Sequence, residues 1–315
     1  MPKNKVQFQK GLSLPLFLAD CGTEAQCEQA LYDARWPHGL ACPRCSGSSF
    51  CRLTQRRACF QCNHCKRQVS LLAGTSFQAT KLPLTTWFLA MYCLSQAKNG
   101  LSALALGRQL GVNNNSAWLL KQKLMQAMLE RDHSYRLEGN VQVDDADLGG
   151  ELPGGKRGRG SQHKTPFLAA VQVTAEGQPE VLKLSVLEGF RKAEVERWAH
   201  QQLTPGSTVL SDGLACFGGV EAADSQHRPL VTGGGKAACE TPELLWVNTI
   251  LGNVKRSLDG TYHAFRPKYA ARYLAEFQYR FNRRYDLAAL PQRLLQAAAV
   301  ALPLPRPLAM CAAAA

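Results

Sequence analysis

Two Cys-x-x-Cys pairs constrain the fold of this chain more than any other feature. Cys42 and Cys45 form the first pair, and Cys62 and Cys65 form the second, with sixteen residues between the pairs. A zinc ion takes four thiolates in a tetrahedron, and two tight turns joined by a hairpin supply them at this spacing. The pattern therefore predicts a zinc ribbon over residues 41–80, preceded by a helical lead-in over residues 1–40.

Two neighbouring residues compete as ligands in this ribbon. Cys59 lies three residues before Cys62, and His64 lies inside the second pair, so a shifted register stays open. The eight cysteines outside the two pairs are scattered along the chain. Such scatter favours free thiols in a reducing compartment over a disulfide framework.

The charge balance of the chain points to a polyanionic partner. With 315 residues, the chain is long enough for about two or three domains. Its formal net charge is +13 and its pI about 9.3, which favours nucleic acid, although a membrane surface would attract the same charge. Six basic residues on the ribbon fit phosphate contact, with a solvated basic face as the alternative. They are Arg44, Arg52, Arg56, Arg57, Lys66 and Arg67.

The first twenty residues do not have the pattern of a secretory signal. An apolar run over residues 12–19 follows three lysines, but the run is short, contains Pro15 and does not lead to a small-residue cleavage site. No later stretch approaches the length of a membrane span. We therefore expect a cytoplasmic protein without a membrane partner.

Residues 101–131 have the pattern of a helix-turn-helix. Apolar residues recur at helical intervals over residues 101–110, and Gly111 interrupts them. Asn115 and Ser116 are then placed to cap a second helix that runs to about residue 130. In a basic chain with a zinc ribbon, this pattern predicts a DNA-binding region over residues 81–135. The side chains of the second helix expected to contact DNA are Lys121, Gln122 and Lys123.

From residue 141 the pattern changes to alternating strands, and two of these end in acidic residues. Residues 141–143 run into Asp144, and an apolar strand over residues 207–211 runs into Asp212. The alternative is an Asp-rich turn in which these residues have only a conformational role. However, strand, hairpin, helix and further strand is the order expected of a ribonuclease-H-like core, whose first two carboxylates lie side by side. Asp145 would point to the opposite side of its strand, so Asp144 is the preferred metal ligand.

A later helix is expected to bring the third partner to these carboxylates. Asn248 and Lys255 are seven residues apart, so two helical turns return them to nearly the same face, about 10 Å apart along the axis. A metal ligand and a phosphate-holding cation at this spacing fit one site. Arg256 and three basic residues of a glycine-rich loop are further candidates for contacts with a DNA backbone. The alternative interpretation of this loop is a solvated hairpin tip. The three are Lys156, Arg157 and Arg159.

Together these motifs resemble those of bacterial insertion-sequence transposases with an N-terminal zinc ribbon and an integrase-like core, the ISXO-two-like group. The resemblance covers residues from about 10 to 286. Beyond the ribbon cysteines, it rests on short motifs around the acidic residues and the later helix. These are residues 74–77 (Gly-Thr-Ser-Phe), 143–144 with 149–150, 211–213 (Ser-Asp-Gly), 248 with 255, and 260–263 (Gly-Thr-Tyr-His).

The resemblance implies a set of catalytic residues and a reaction. Asp144, Asp212 and Asn248 take the positions of the acidic triad, and Lys255 takes the associated basic position. Many relatives have Glu where Asn248 stands, so the metal would be held with one charge fewer. The implied reaction is DNA cleavage and strand transfer with two Mg²⁺ ions about 4 Å apart, held by hard oxygen ligands.

The expected architecture is α/β and multidomain, with a zinc ribbon, a helix-turn-helix segment and a ribonuclease-H-like mixed-sheet core over residues 136–286. No role is assigned to the tail over residues 287–315. The expected partners are the terminal inverted repeats of the element and its target DNA, bound by a homo-oligomer at the bacterial nucleoid. One alternative is an inactive or domesticated transposase that binds DNA without cutting. Another is a regulator, which would not need Asp144 and Asp212 at matching strand ends.

Overall fold

The computed structural model describes residues 10–149, 164–231, 241–262 and 266–311, and these form two units. The first unit combines the described residues up to Arg131 with Arg283–Met310, and the second runs from Asp132 to Asn282. The predicted DNA-contacting residues of the glycine-rich loop lie outside the described residues. These are Lys156, Arg157 and Arg159.

The first unit contains a small sheet and helices from both ends of the chain. Its last long helix before the second unit, α5, ends in two residues that belong to the second unit. The elements are α1 (Leu14–Cys21), α2 (Glu24–Arg35), β1 (Phe50–Arg52), β2 (Cys59–Cys62), β3 (Gln68–Ser70), α3 (Leu84–Gln96), α4 (Ala103–Leu110), α5 (Asn114–His133), α9 (Leu290–Val300) and α10 (Arg306–Ala309).

The three short strands of the first unit form an antiparallel sheet in the order β1-β2-β3. Cys59 pairs with Ser70 across β2 and β3, and Cys62 is the last residue of the central strand. Arg35, at the end of α2, donates to the carbonyl oxygens of residues 70, 71 and 73, at 2.9 Å for Ser70 and 2.6 Å for Ala73. These bonds fasten the ribbon sheet to α2.

Helix α9 packs against α2 and α3 and so joins residues that are far apart in the sequence. The Ser76 N–H donates to the Ala298 carbonyl oxygen at 3.2 Å. The Gln96 side-chain amide donates to the Leu287 carbonyl oxygen at 2.9 Å. Residues 287–310 are therefore part of the core of the first unit.

Helices α4 and α5 are joined by a tight turn, as the helix-turn-helix pattern predicts. Gly111 ends α4 with a φ of +67°, a left-handed conformation that favours glycine. The cap of α5 is Asn113, whose side chain accepts from the Ser116 N–H at 2.9 Å, so the cap lies two positions earlier than Asn115. A Cβ at Gly107 would lie 3.3 Å from the Ala117 Cβ, so the two helices cross closely.

The second unit is built on a mixed five-stranded sheet. Its elements are β4 (Asn140–Leu148), β5 (Thr165–Val173), β6 (Pro179–Val186), α6 (Lys192–Gln202), β7 (Thr208–Ser211), a 3-10 helix (Ala215–Ala223), β8 (Gln226–Pro229), α7 (Leu245–Asp259) and α8 (Ala270–Phe281). The strand order is β6-β5-β4-β7-β8. Strands β4, β5 and β6 follow one another in the chain and pair as antiparallel neighbours. Strand β7 runs parallel to both β4 and β8.

One face of this sheet buries a hydrophobic core against α6 and the 3-10 helix. Val141, Val143 and Val209 of the central strands pack there with Trp198 and Phe217. Because side chains alternate along a strand, the even-numbered residues of β4 face the other side, towards α7. The sheet is thus covered on both faces.

Helix α8 closes one edge of the sheet through hydrogen bonds between side chains and backbone. The N–H groups of Leu182 and Leu184, on the edge strand β6, donate to Asn282 Oδ1 and Gln278 Oε1, each at 2.8 Å. These bonds satisfy amides that no neighbouring strand pairs, so the edge is protected from pairing with another chain.

Candidate active site and metal centres

The four predicted zinc ligands converge at the end of the ribbon sheet. The sulfurs of Cys42, Cys45, Cys62 and Cys65 all lie within 4.8 Å of one another, with Cys42–Cys65 at 3.5 Å and Cys45–Cys62 at 3.6 Å. A tetrahedron with zinc–sulfur bonds of about 2.3 Å places its sulfurs about 3.8 Å apart. The four thiols therefore fit a structural zinc ion.

Backbone amides lower the pKa of two of these thiols. The Arg44 N–H bonds the Cys42 sulfur and lowers the pKa of that thiol to about 6. The Cys65 N–H likewise lowers the pKa of the Cys62 thiol. Because the thiolate is the form that binds zinc, these amides favour metal binding near neutral pH.

The competing ligands do not join this group. Cys59 lies in β2 opposite Ser70, is buried, and is not among the four clustered sulfurs. The ring of His64 packs against Gly47, where an added Cβ would approach it to 2.9 Å. Of the two registers that the sequence leaves open, the structure therefore brings Cys62 to the site.

Two carboxylates meet where the parallel pairing of β4 and β7 ends. Asp212 directly follows β7, whereas β4 continues past Asp144 to Leu148 because β5 pairs with it over that whole length, which corrects the expectation that this strand ends at Asp144. Gln142 pairs with Leu210 across these strands, so the residues two positions further along each are Asp144 and Asp212. Their carboxylate oxygens lie within 4.8 Å of each other, and both side chains are half-buried. The structure thus places these two predicted ligands side by side on adjacent strands.

Asp145 joins the same cluster, which corrects the expectation from strand alternation. Its carboxylate oxygen also lies within 4.8 Å of those of Asp144 and Asp212. Asp145 still pairs with Leu168 in β4, so the strand does not break there. However, β7 ends at Ser211, and the shorter neighbour leaves the edge of β4 open beside Asp145. The alternation rule fixes the direction of the Cα–Cβ bond but not the reach of a carboxylate at such an edge.

The turn that carries Asp212 is held by neighbours that sequence reasoning missed. Ser211 Oγ lies 2.9 Å from His227 Nε2 on β8, and it accepts from the Gly213 N–H at 3.3 Å. The Leu214 N–H donates to Asp212 Oδ1 at 3.0 Å. Burial lowers the pKa of the His227 imidazole. The only sequence signal for these contacts is a short strand after Asp212.

Helix α7 begins against the face of β4 that carries Asp144. The N–H groups of Trp246 and Val247 both donate to Gln142 Oε1 at 3.1 Å, and Gln142 lies two residues before Asp144 on the same side of β4. Asn248 is half-buried in this first turn. Asn248, the predicted third residue, thus lies in the turn of α7 that begins beside β4.

Lysines of α5 were expected to contact DNA, and the structure contradicts this. Lys121 is 2% exposed and donates to the Leu101 carbonyl oxygen, whereas Lys123 is 8% exposed and donates to the carbonyl of Ser76 at 3.1 Å. Gln122 is 2% exposed. Burial lowers the pKa of Lys123. The three side chains are built into the protein and are not available to a DNA groove.

Five of the six basic residues of the ribbon fall into two groups, and the sixth, Arg56, donates to Gln68 Oε1 at 2.6 Å. Arg52 and Arg57 form ion pairs with acids of α2, at 2.6 Å to Glu28 and 2.7 Å to Glu24. The second group lies in or directly after the two cysteine turns, is exposed, and forms no ion pair with another described residue. We name this group the knuckle cations. They are Arg44, Lys66 and Arg67.

A mixed sheet of order β6-β5-β4-β7-β8, with carboxylates side by side on two adjacent parallel strands, is the ribonuclease-H-like arrangement of DDE transposases. Family comparison leads to the same class. Residues 136–282 match the ISXO2-like transposase domain, and residues 22–68 match the transposase zinc-ribbon domain, so that the two together span more than half of the chain. The chain belongs to the ISXO2-like transposases with an N-terminal zinc ribbon.

A relative has been found in a mobile element. The chain is similar to an uncharacterized protein in transposable element ISH50 of Halobacterium salinarum, with 26% identity over 231 residues. The aligned part is 67% of this chain and 75% of the relative. The predicted family and fold class are thus confirmed.

Within the described ranges, none of the helices has the length and apolar character of a membrane span.

Proposed function

We propose that this protein is the transposase of an insertion sequence and that it cuts and joins the ends of the element by metal-dependent phosphoryl transfer. The observation that carries the proposal is the matched position of Asp144 and Asp212, side by side where the parallel pairing of β4 and β7 ends. Family membership implies transposase activity, and the details of the reaction are inferred from this geometry.

Asp144, Asp212 and Asn248 are the residues that would hold Mg²⁺. Their ligand atoms are hard oxygens, the donors that Mg²⁺ takes in phosphoryl-transfer sites. Two such ions, when bound, would stabilise the attacking and the leaving oxygen of an in-line displacement. The Asp145 N–H donates to Asp144 Oδ1 at 2.8 Å and the Leu214 N–H donates to Asp212 Oδ1, so the backbone orients both carboxylates.

Lys255 and Arg256 are the candidates for holding DNA phosphates beside this site. Both side chains are exposed on α7, and Lys255 lies two helical turns after Asn248. Charge-assisted hydrogen bonds from a cation to phosphate oxygens would keep the DNA end in place. Lys255 therefore positions the substrate, and the carboxylates hold the metal.

The proposal is tested with zinc-loaded protein and a labelled duplex carrying the inverted repeat that flanks its gene. Binding is measured by gel shift, and cleavage of the same DNA is measured with Mg²⁺, with Mn²⁺ and with EDTA. We expect cleavage at the element end with either metal and none with EDTA. A protein that binds this end but cuts with neither metal is a DNA-binding protein only, and the proposed reaction is then wrong.

The knuckle cations are expected to bind the DNA backbone. Replacing all three with alanine should flatten the log–log salt dependence of DNA affinity by about 0.9 for each phosphate that the variant no longer neutralises, because each neutralised phosphate releases condensed counterions. The affinity for cognate and scrambled DNA should fall in parallel, since phosphate contacts carry no sequence information. Fluorescence anisotropy over a series of salt concentrations measures both quantities.

The matched control is the double variant Arg52→Ala/Arg57→Ala. It removes the same kind of charge from the same ribbon, but these arginines are engaged by Glu28 and Glu24. We expect its salt slope to equal that of the unchanged protein. A flatter slope in the control and an unchanged slope in the triple variant would contradict the assignment of the phosphate-binding surface.

Base recognition is expected at the beginning of α5. In helix-turn-helix proteins the N-terminal residues of the second helix reach the base edges, and Asn114 and Asn115 are exposed there. An asparagine amide can bond adenine in a bidentate way, worth about 1–3 kcal/mol of discrimination. Asn114→Ala or Asn115→Ala should therefore narrow the affinity ratio between cognate and scrambled DNA by about 5- to 150-fold.

Lys121→Met is the control for this prediction. Because Lys121 is buried on the same helix, its replacement should change the thermal midpoint of unfolding and leave the affinity ratio unchanged. If Lys121→Met narrows the ratio in a fully folded protein while both asparagine variants preserve it, the bases are read elsewhere.

A further inference from the structure

We propose that Asp145 is a third carboxylate ligand of the catalytic metal site and supplies the negative charge that Asn248 lacks. The inference rests on the proposed function. It changes the ligand set from two aspartates and one asparagine to three aspartates, with Asn248 as a neutral oxygen donor.

Asp145 lies in the same cluster as the two predicted metal ligands. Asp144, Asp145 and Asp212 each place a carboxylate oxygen within 4.8 Å of the other two. The cluster lies where the parallel pairing of β4 and β7 ends, beside the first turn of α7, which meets β4 through Gln142. It also lies inside the region that matches the ISXO2-like transposase domain. Fold, family and distance therefore identify one place, and Asp145 is in it.

Asp145 also supplies negative charge that the other predicted ligands lack. Two Mg²⁺ ions carry four positive charges, and Asp144 with Asp212 supplies only two negative ones. Asn248 contributes an amide oxygen, which is a ligand without charge. Three carboxylates this close repel one another in the absence of a cation, since like charges disfavour ionisation of their neighbours. A divalent cation among them removes this repulsion, and the third carboxylate strengthens the binding of the cation.

The backbone of Asp145 orients the neighbouring carboxylate. The Asp145 N–H donates to Asp144 Oδ1 at 2.8 Å, so the backbone of one residue turns the carboxylate of the other. Two successive residues of β4 are thus coupled, and both side chains are half-buried rather than spread into solvent. Consecutive aspartates start on opposite faces of β4, so Asp144 and Asp145 can approach one metal ion from two sides where β7 leaves the edge of β4 open.

The test measures Mn²⁺ binding to the zinc-loaded, full-length protein by electron paramagnetic resonance, without DNA. We expect Asp145→Asn to weaken Mn²⁺ affinity by at least about tenfold, because loss of even an outer-shell partner costs 10- to 100-fold. The matched control is Asp147→Asn. Asp147 lies two residues further along β4, is also half-buried, and is outside the cluster. Its replacement should leave the affinity unchanged.

A compensating change gives the sharper result. If Asn248 is short of one charge and Asp145 supplies it, Asp145→Asn combined with Asn248→Glu should recover most of the lost Mn²⁺ affinity. A direct effect of Asp145 on folding would not be repaired by a substitution in α7. Circular dichroism and the thermal midpoint verify that each variant is folded, and Asp145→Ser replaces Asp145→Asn if the latter is not.

The outcomes separate this inference from the proposed function. If Asp212→Asn loses Mn²⁺ binding and Asp145→Asn retains it, the metal site is real and Asp145 is not a ligand. If Asp212→Asn and Asp144→Asn retain full affinity as well, the proposed metal site itself is wrong. Loss in Asp145→Asn with recovery in the double variant establishes the third carboxylate.

Discussion

Asp212→Ala is expected to reduce DNA cleavage and strand transfer by at least about 10³-fold while leaving DNA affinity nearly unchanged. A catalytic metal contributes several kcal/mol of transition-state stabilisation, and about 4 kcal/mol corresponds to a factor of 10³. Asp212 lies at the end of β7 opposite Asp144, so its loss would misplace the metal and not the duplex. Asp144→Ala should have the same effect for the same reason. Cleavage and gel-shift assays on one labelled element end measure both properties.

The control for this prediction is Glu188→Gln. Glu188 is an exposed acid of the same unit that pairs only with Arg191 in the described residues, and its replacement should leave both cleavage and binding intact. Undiminished cleavage by Asp212→Ala would show that the active site lies elsewhere. Loss of DNA binding together with cleavage would show that the carboxylate supports the DNA-binding surface instead.

Cys62→Ser is expected to release zinc and to unfold the ribbon. Structural zinc contributes about 10–16 kcal/mol in small zinc-binding peptides, as much as the whole stability of a typical domain, about 5–15 kcal/mol. The ribbon sheet has only three short strands, so it cannot replace that contribution by burial. Native mass spectrometry measures the zinc content, and limited proteolysis detects new cleavage between residues 41 and 70.

Cys59→Ser is the matched control for the zinc prediction. Cys59 is buried in the same strand as Cys62, three residues earlier, and its sulfur is not in the metal cluster. We expect this variant to retain one zinc per chain. If Cys59→Ser loses zinc and Cys62→Ser keeps it, the register of the ribbon ligands is wrong.

The zinc ligands and the first two carboxylates are predictable because local spacing fixes them. Two turns of fixed length bring Cys42, Cys45, Cys62 and Cys65 together whatever surrounds them. Asp212 directly follows β7, and the pleat of β4 directs Asp144 towards the face that α7 covers. Parallel pairing of the two strands then brings the carboxylates together. These parts of the site depend on a few neighbouring residues each.

The burial of α5 and the role of Asp145 are not predictable in this way. Lys121, Gln122 and Lys123 are consecutive, so they span about 200° of the helix circumference, and all are buried. Helical periodicity predicts one buried face and cannot show that a helix is enclosed on most of its circumference. Asp145 reaches the cluster because β7 ends before the position beside it. The residues around position 145 cannot predict the length of that neighbouring strand.

The packing of α9 on α2 and α3 has a consequence for the order of events at the ribosome. The helices that α9 covers are synthesised early, but α9 emerges only after residues 132–282 have been made. At about 5–20 residues per second, that segment takes roughly 8 to 30 s. During this delay the α9-facing surface of α3 has no cover, whereas the five strands of the second unit are already available to pair. The five-stranded sheet of the second unit can therefore form before the first unit reaches its final packing.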